Sequence, residues 1–345
     1  MSFLGTWSGK FSLRVACLVL IVAAIVFAVW RNIGRESRTL AQLKAAGVRI
    51  SYFTPVKDSS GFRYIGIPVR NSTIPYSDAR ELTILDDPLL GEIRSSGGLH
   101  LVVPSEAQLP RRLRYDLYAM RSLRALEILP GERLPETIEL KALNGLTDVI
   151  LHGQVAFDAY ADQFGATLPL EDVEIEDAVL SKQSLQRVVG TPGLKSLRLV
   201  RCTIEPAGLN ELSRELRTLS LAETLLGDEG ALHLARCHKL EDLDLSKTGV
   251  GDVGCQSLAK LASLKTLNLN SCPVTSASIP VLSKLASLQD LWMEDTQVDG
   301  EGLDLFLTSP QLKWLAISGP QLPNETYKAF CERAGARFEL LMWGE

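Results

Sequence analysis

Apolar residues recur along the C-terminal two thirds of the chain in a frame, Leu-x-x-Leu-x-Leu, that repeats every 24 residues. Five copies follow one another without interruption, and they begin at Leu216, Leu240, Leu264, Leu288 and Leu312. A period of this size predicts a solenoid, because each unit can bury its apolar face only against its neighbours. The pattern therefore favours an interaction surface over a catalytic pocket.

The frame extends in both directions when the spacing is allowed to vary between 22 and 26 residues. The further copies begin at Leu123, Leu146, Leu170, Leu194 and Phe338. These ten copies predict a repeat array over residues 123–345. Weaker matches at Ala79 and near Leu99 suggest degenerate repeats within residues 31–122, which we interpret as a juxtamembrane and N-terminal capping region. A small separate domain is the alternative interpretation of this region.

Each repeat predicts a strand, a corner and a helix. The alternation of Leu243 and Leu245 indicates a short strand with one buried face. A small residue that can hydrogen-bond the backbone follows at the corner, at Cys202, Thr224, Thr248, Cys272 and Thr296. Candidate helix N-caps come next, at Asp228, Asp252, Ser276 and Gly300. Stacked in register, such units form an α/β solenoid with parallel strands on its concave face and helices on its convex face.

This frame resembles the leucine-rich repeat family, whose pattern is Leu-x-x-Leu-x-Leu-x-x-Asn/Cys-x-Leu. Cys or Thr at the corner, together with the helical outer segment, is similar to the ribonuclease-inhibitor-like and cysteine-containing branches. The stretch from Leu40 to Tyr52, which follows an apolar segment, resembles planctomycete-type membrane-anchored repeat proteins of bacteria. The resemblance implies a horseshoe that binds proteins, and it carries over no catalytic residue.

The N-terminus carries an uncharged run from Val15 to Trp30, which is 16 residues, or ~24 Å of helix. With Leu13 included and Arg14 extended toward the interface, residues 13–30 predict one transmembrane anchor after a short tail at residues 1–12. A signal peptide cleaved after Ala28 is the alternative. Basic residues are nearly balanced on the two flanks, which leaves the side of the membrane open. Of the two sides we favour the extracytoplasmic one for the repeats.

Charge argues against a nucleic-acid partner. The chain has a net charge of −5, but residues 1–38 carry five basic side chains and one acidic side chain, so the rest carries −9. Binding to phosphate backbones needs positive charge.

Catalytic and metal-binding patterns are missing from the sequence. The four histidines are scattered along the chain, and there is no glycine-rich phosphate loop, nucleophile elbow, CxxC or HExxH. Cys202 and Cys272 occupy the same frame position three repeats apart, ~15 Å by strand spacing, which is too far for a disulfide. We therefore expect buried thiols, no cofactor, no metal and no enzyme activity.

The concave face can be predicted because the residues between the strand leucines point away from the core. One candidate binding region is the acidic turn at residues 170–177, which includes Asp172, Glu174 and Glu176. The other lies near the C-terminus, where the frame places several apolar and acidic side chains outward. Its members are Trp292, Trp314, Leu340 and Met342, rimmed by Asp290, Glu294 and Asp295.

The sequence thus predicts a membrane-tethered, non-catalytic scaffold that binds a protein partner on its concave face. Two alternatives remain open. A glycan- or cell-wall-binding module would use Trp292 and Trp314 as stacking platforms, and an adaptor for protein degradation would deliver a bound substrate.

Overall fold

A computed structural model describes residues 38–53, 56–57, 63–64, 98–104, 110–132, 138–165, 168–335, 337 and 339–340. The predicted tail and anchor at residues 1–30, the weak repeat match at Ala79 and the candidate Met342 lie outside these ranges. None of the helices in the described part combines the length and the apolar character needed to cross a bilayer.

The described strands form one open sheet of twelve strands and a separate two-stranded hairpin, β2–β3. In chain order they are β1 (Arg49–Phe53), β2 (Val56–Lys57), β3 (Arg63–Tyr64), β4 (Gly98–Val103), β5 (Leu123–Ile128), β6 (Asp148–His152), β7 (Asp172–Glu176), β8 (Ser196–Val200), β9 (Thr218–Ser220), β10 (Asp242–Asp244), β11 (Thr266–Asn268), β12 (Asp290–Met293), β13 (Trp314–Ile317) and β14 (Glu339–Leu340). From β4 to β14 each strand pairs in parallel with the next, and β1 pairs antiparallel with β4 at the edge. The sheet is the predicted solenoid, and the weak match near Leu99 is one of its strands.

The helices return the chain behind the sheet. The α-helices are α1 (Arg111–Tyr118), α2 (Gln154–Tyr160), α3 (Lys182–Val189), α4 (Gly227–Leu234), α5 (Asp252–Leu258), α6 (Ile279–Leu282) and α7 (Asn324–Ala334). A helical segment also covers residues 38–45. Short 3₁₀ helices lie at Leu140–Ala142, Ala161–Gln163, Pro206–Glu211, Ser276–Ser278 and Leu303–Thr308. Helix α4 packs beside α5, so the convex layer stacks repeat on repeat, as the sheet does.

The frame leucines form the core between these layers. Leu219, Leu243 and Leu267 face one another in register, and each is at most 1% exposed. Because a strand side chain is buried on only one face, every second residue must be apolar, which is the alternation the sequence shows. The predicted strand positions are therefore confirmed through the five regular repeats.

The corner after each strand is closed by the small residue that the frame supplies. Thr248 Oγ1 donates to the carbonyl oxygen of Leu245 at 2.6 Å, and Cys272 Sγ donates to the same oxygen at 3.0 Å from the next repeat. Thr296 repeats the first contact with Met293 at 2.9 Å. These bonds satisfy buried carbonyls where the chain leaves the sheet, as predicted.

The residue before the corner position, which is Ala178 in one repeat and the small hydrogen-bonding residue in the next five, adopts a left-handed backbone in six successive repeats, with φ between 52° and 58°. None of the six is glycine, and they are Asp177, Arg201, Glu223, Lys247, Ser271 and Asp295. Their side chains interact between neighbours, as in Arg201 with Asp177 at 2.7 Å and Ser271 with Asp295 at 3.1 Å. A glycine would relieve backbone strain but would remove these contacts along the rim of the concave face.

Helix capping differs from the prediction. Asp228 and Asp252 are not the N-caps of their own helices. Instead, Asp228 Oδ1 accepts from the backbone nitrogens of Gly251 at 2.7 Å and Gly254 at 2.9 Å, one repeat further on. Asp252 does the same for Thr275, whose backbone nitrogen donates at 3.0 Å. Helix starts lie side by side in a solenoid, so a carboxylate in one first turn reaches the unpaired N–H groups of the next.

The last strand departs from the predicted frame by one residue. The frame starting at Phe338 aligns Leu341 with Leu315, whereas the structure pairs Leu340 with Leu315 and Glu339 with Trp314. Leu340 is therefore paired with Leu315, at the position where the frame expects Leu341, and its part in a binding site stays a prediction. The spacing from Leu312 to Phe338 is 26 residues instead of 24, so the frame does not fix the register of this strand.

Candidate binding surface on the concave face

Three rows of side chains run across the concave face, perpendicular to the strands. The first row contains Asp148, Asp172, Ser196, Thr218, Asp242, Thr266, Asp290 and Trp314. The second contains Glu127, Ile150, Glu174, Arg198, Ser220, Asp244, Asn268, Trp292 and Ala316. The third contains His152, Glu176, Val200, Ala222, Ser246, Asn270, Glu294 and Ser318, where the backbone ladder continues past the strands. All predicted outward positions between Asp172 and Trp314 fall on these rows except Asp295, which lies at the exposed corner.

The N-terminal half of this face is organised by a histidine between two glutamates. His152 Nε2 lies 3.1 Å from Glu127 Oε1, and His152 Nδ1 lies 3.0 Å from Glu176 Oε2. His100 adds a second contact to Glu127, with 3.0 Å between His100 Nε2 and Glu127 Oε2. We call Glu127, His152 and Glu176 the Glu–His–Glu bridge; it spans β5, β6 and β7.

The bridge requires a protonated imidazole, since both ring nitrogens face carboxylates. Burial alone would lower the pKa of His152, but its hydrogen bonds to Glu127 and Glu176 outweigh burial and raise the pKa to about 9. Burial would likewise raise the pKa of Glu127, yet its hydrogen bonds to His100 and His152 lower the pKa to about 2. The hydrogen bond from His152 lowers the pKa of Glu176 to about 2, against the opposing effect of burial. The three groups are therefore all charged at neutral pH.

The predicted acidic turn lies beside this bridge, and its charges have partners within the chain. Arg201 reaches Glu176 at 3.0 Å and Asp177 at 2.7 Å, and Lys195 reaches Glu171 at 2.9 Å. Each of these contacts balances a carboxylate of the turn with a cation of the next repeat.

Glu174 and Asp172 are the more buried carboxyl groups of this turn. The Glu174 side chain is 5% exposed and lies 3.8 Å from Arg198 Nε. Burial raises the pKa of Glu174 to about 7, and burial likewise raises the pKa of Asp172. The turn is thus a partly buried network in which cations of the next repeat contact several of the carboxylates, rather than an open patch of negative charge.

The C-terminal half of the concave face has a different character. Fifteen described positions of the three rows lie on or directly after β9 to β13, and they hold Asp242, Asp244, Asp290 and Glu294 but no Lys, Arg or His. Trp292 and Trp314 are half-buried and lie on neighbouring strands, two residues apart in register. The predicted tryptophan pair is therefore placed on one face, flanked by carboxylates and by no cation of the rows.

Sequence reasoning missed the Glu–His–Glu bridge because it counted His100 and His152 as scattered. The signal was present in the repeat frame: Glu127 and Glu176 stand 25 and 24 residues from His152, one repeat to either side. Glu176 faces His152 in register, whereas Glu127 pairs with Ile150 and reaches His152 diagonally, so side chains near one period apart on adjacent strands indicate the contact.

The described residues contain no group of three or more His, Cys, Asp or Glu side chains placed to hold a metal ion. Cys202, Cys237, Cys255 and Cys272 are buried free thiols, as expected, and Cys331 is half-buried. Burial raises the pKa of Cys202 and Cys237 to about 11 and that of Cys255 to about 12, so these thiols are protonated and unreactive at neutral pH.

Comparison with known proteins agrees with the repeat assignment. A family model described as a leucine-rich repeat matches residues 236–259. No curated protein matches the chain. Among solved structures, an internalin (inlF) from Listeria monocytogenes is similar over 67% of this chain and 70% of its own, with 15% identity and a TM-score of 0.45. Internalin C2 (inlC2) from the same organism is similar over 66% of this chain and 82% of its own, with 19% identity and a TM-score of 0.40.

Proposed function

We propose that this chain is a membrane-tethered, non-catalytic scaffold that binds a protein partner on its concave face. The parallel repeat sheet and the leucine-rich repeat match over residues 236–259 support the proposal. The observation that carries the proposal is the C-terminal half of that face. It combines two half-buried tryptophans with polar side chains on a rigid parallel sheet. Tryptophan is enriched among the residues that dominate interface energy, and a rigid face loses little entropy on binding.

The proposal predicts that a photo-crosslinking amino acid captures the partner from the concave side only. We expect the photo-crosslinking amino acid at Asn268, in the centre of the face, to give a protein adduct of defined mass in intact cells. The matched control is the same amino acid at Glu229, an exposed position on the convex helix α4. Adducts that form at Glu229 and not at Asn268 would place the interaction on the convex side and overturn the proposal.

The tryptophans give the same experiment a second readout. Trp292→Ala with Trp314→Ala should leave the melting temperature nearly unchanged and weaken partner binding by ~2 kcal/mol or more. A lower melting temperature, with adducts lost only through unfolding, would instead make the tryptophans part of a C-terminal cap. A variant that melts normally and still captures the partner would move the site to the turn at residues 170–177.

Tethering rests on residues 13–30. The full chain should stay in the membrane fraction through alkaline carbonate extraction, because 16 uncharged residues that end at Trp30 and are followed by Arg31 suit a retained span. A matched variant with Val22→Glu and Ile25→Arg should be released, since charges at the centre of a span are costly. Recovery of a soluble wild-type form that begins at Val29 would show cleavage and contradict the anchor.

A further inference from the structure

We propose that the C-terminal half of the concave face takes a cationic partner: an extended polypeptide segment with regularly spaced arginine or lysine side chains. The inference rests on the proposed function and deepens it, because it names the chemistry of the partner. Three observations lead to it: the charge of the fifteen positions, the surroundings of Trp292, and the spacing of the carboxylates across the strands.

Charge is the first observation. The fifteen positions carry four carboxylates and no cationic side chain. The cations next to these positions lie outside the rows and have partners there: Arg217 and Lys265 both contact Glu241, at 2.9 Å and 2.5 Å, and Lys247 contacts Glu223 at 3.5 Å. Lys313 donates to the amide oxygen of Gln289 at 2.9 Å. In the N-terminal half, by contrast, Arg198 and His152 stand within the rows. The C-terminal half therefore presents a net negative field that a cationic partner complements.

The surroundings of Trp292 are the second observation. Asp290 lies two residues before it on β12, and Glu294 lies two residues after it, directly beyond the strand, so the three side chains share one face of the sheet. Glu294 Oε2 accepts from Asn270 Nδ2 at 3.0 Å, which orients this carboxylate. An indole between two carboxylates suits a guanidinium, since the cation can lie over the ring while its N–H groups donate to the oxygens.

Spacing is the third observation. Asp242 on β10 and Asp290 on β12 occupy the same row two strands apart, ~10 Å at the usual strand spacing. In an extended polyproline-type segment, residues i and i+3 lie on one side and are ~9–10 Å apart. A partner segment that crosses the strands with a cation at every third residue would therefore meet both carboxylates.

The four carboxylates also favour a cationic polypeptide over a neutral glycan as the partner. A sugar stacked on Trp292 would need the ring and one or two polar partners. It would not need four negative charges across three strands, because a neutral ligand gains nothing from a net field.

The test uses the purified full chain and a labelled peptide of four Arg-Pro-Ser units, which places a cation at every third residue. We expect the peptide to bind by fluorescence anisotropy at ~0.05 M salt and to weaken at ~0.2 M, where exposed charges are screened. A matched peptide of Glu-Pro-Ser units should not bind. Asp290→Asn with Glu294→Gln should weaken binding at least about tenfold, and Trp292→Ala at least about fivefold.

The control removes the same number of carboxylate charges, two, from the convex side. Glu229→Gln with Glu332→Gln changes exposed residues on the convex helices α4 and α7, and should leave binding within about twofold of the parent. The Asn and Gln substitutions keep the size of the side chains. If Trp292→Ala lowers the melting temperature, the Asp290–Glu294 pair therefore decides the test.

Three results would overturn the inference. They are equal weakening by the concave and convex charge variants, no binding of the arginine peptide, or binding of chitohexaose that depends on Trp292 and not on Asp290 or Glu294. Failure here is distinguishable from failure of the proposed function. Adducts at Asn268 without binding of the arginine peptide would leave a protein scaffold whose partner has another chemistry.

Discussion

Replacement of Leu243 by alanine is expected to lower the free energy of unfolding by ~2–5 kcal/mol. The side chain is 1% exposed and lies between Leu219 and Leu267 on the neighbouring strands, so the deletion leaves a cavity with rigid walls on both sides. Leu267→Ala should behave in the same way, because its 0% exposed side chain holds the equivalent position one repeat on. Urea unfolding followed by circular dichroism measures both changes.

The matched control is Thr266→Ala, on the strand of Leu267 but on the opposite, concave side. A half-exposed side chain outside the core should change stability by less than ~0.5 kcal/mol. If both leucine variants unfold at the parent midpoint while Thr266→Ala does not, the strands face the other way and the repeat frame is misassigned.

The sequence alone predicts the sheet because one face of every strand is buried. Leu243 and Leu245 must both be apolar for the strand to pack, and a slip of one residue would bring Asp244 into the core. The period of 24 then places equivalent residues side by side, so the concave rows can be read without coordinates. The same argument fails at β14, where the spacing of 26 residues departs from the period and Leu340, instead of Leu341, pairs with Leu315.

Contacts between repeats are harder to predict, because they depend on how closely two turns approach. The sequence predicts that Asp228 caps its own helix, yet its carboxylate accepts from the backbone nitrogen of Gly251, one repeat along the chain. The bridge at His152 is also formed between repeats, and nothing local to His152 indicates it. In both cases the partner is found only when residues one period apart are considered together.

Replacement of His152 is expected to give the second large loss of stability, and this loss depends on pH. Replacement by Gln leaves Glu127 and Glu176 close together without the cation between them, in a site whose side chains are no more than 20% exposed. The shift in the pKa of His152 from 6.5 to about 9 corresponds to ~3 kcal/mol of stability at neutral pH. His152→Gln should therefore cost ~2–3 kcal/mol at pH 6 to 7, whereas His238→Gln, at an exposed histidine, should cost little.

The pH dependence follows from which state holds the proton. Between pH 6.5 and 9 the folded protein keeps the proton on His152 while the unfolded chain releases it. The stability that this group contributes is therefore full below pH 6.5 and is lost as pH rises through 9.

Other charged groups face the same network: His100, Arg198, Arg201 and Glu174. The pKa of Glu174 is raised to about 7. The wild-type curve alone therefore mixes several groups, and the informative quantity is the difference between wild type and His152→Gln. That difference should shrink steadily from pH 6.5 to 9 in urea unfolding experiments. A difference that stays constant over this interval would mean that His152 does not hold its extra proton in the folded protein, and that the two glutamates are held apart by Arg201 and His100 instead.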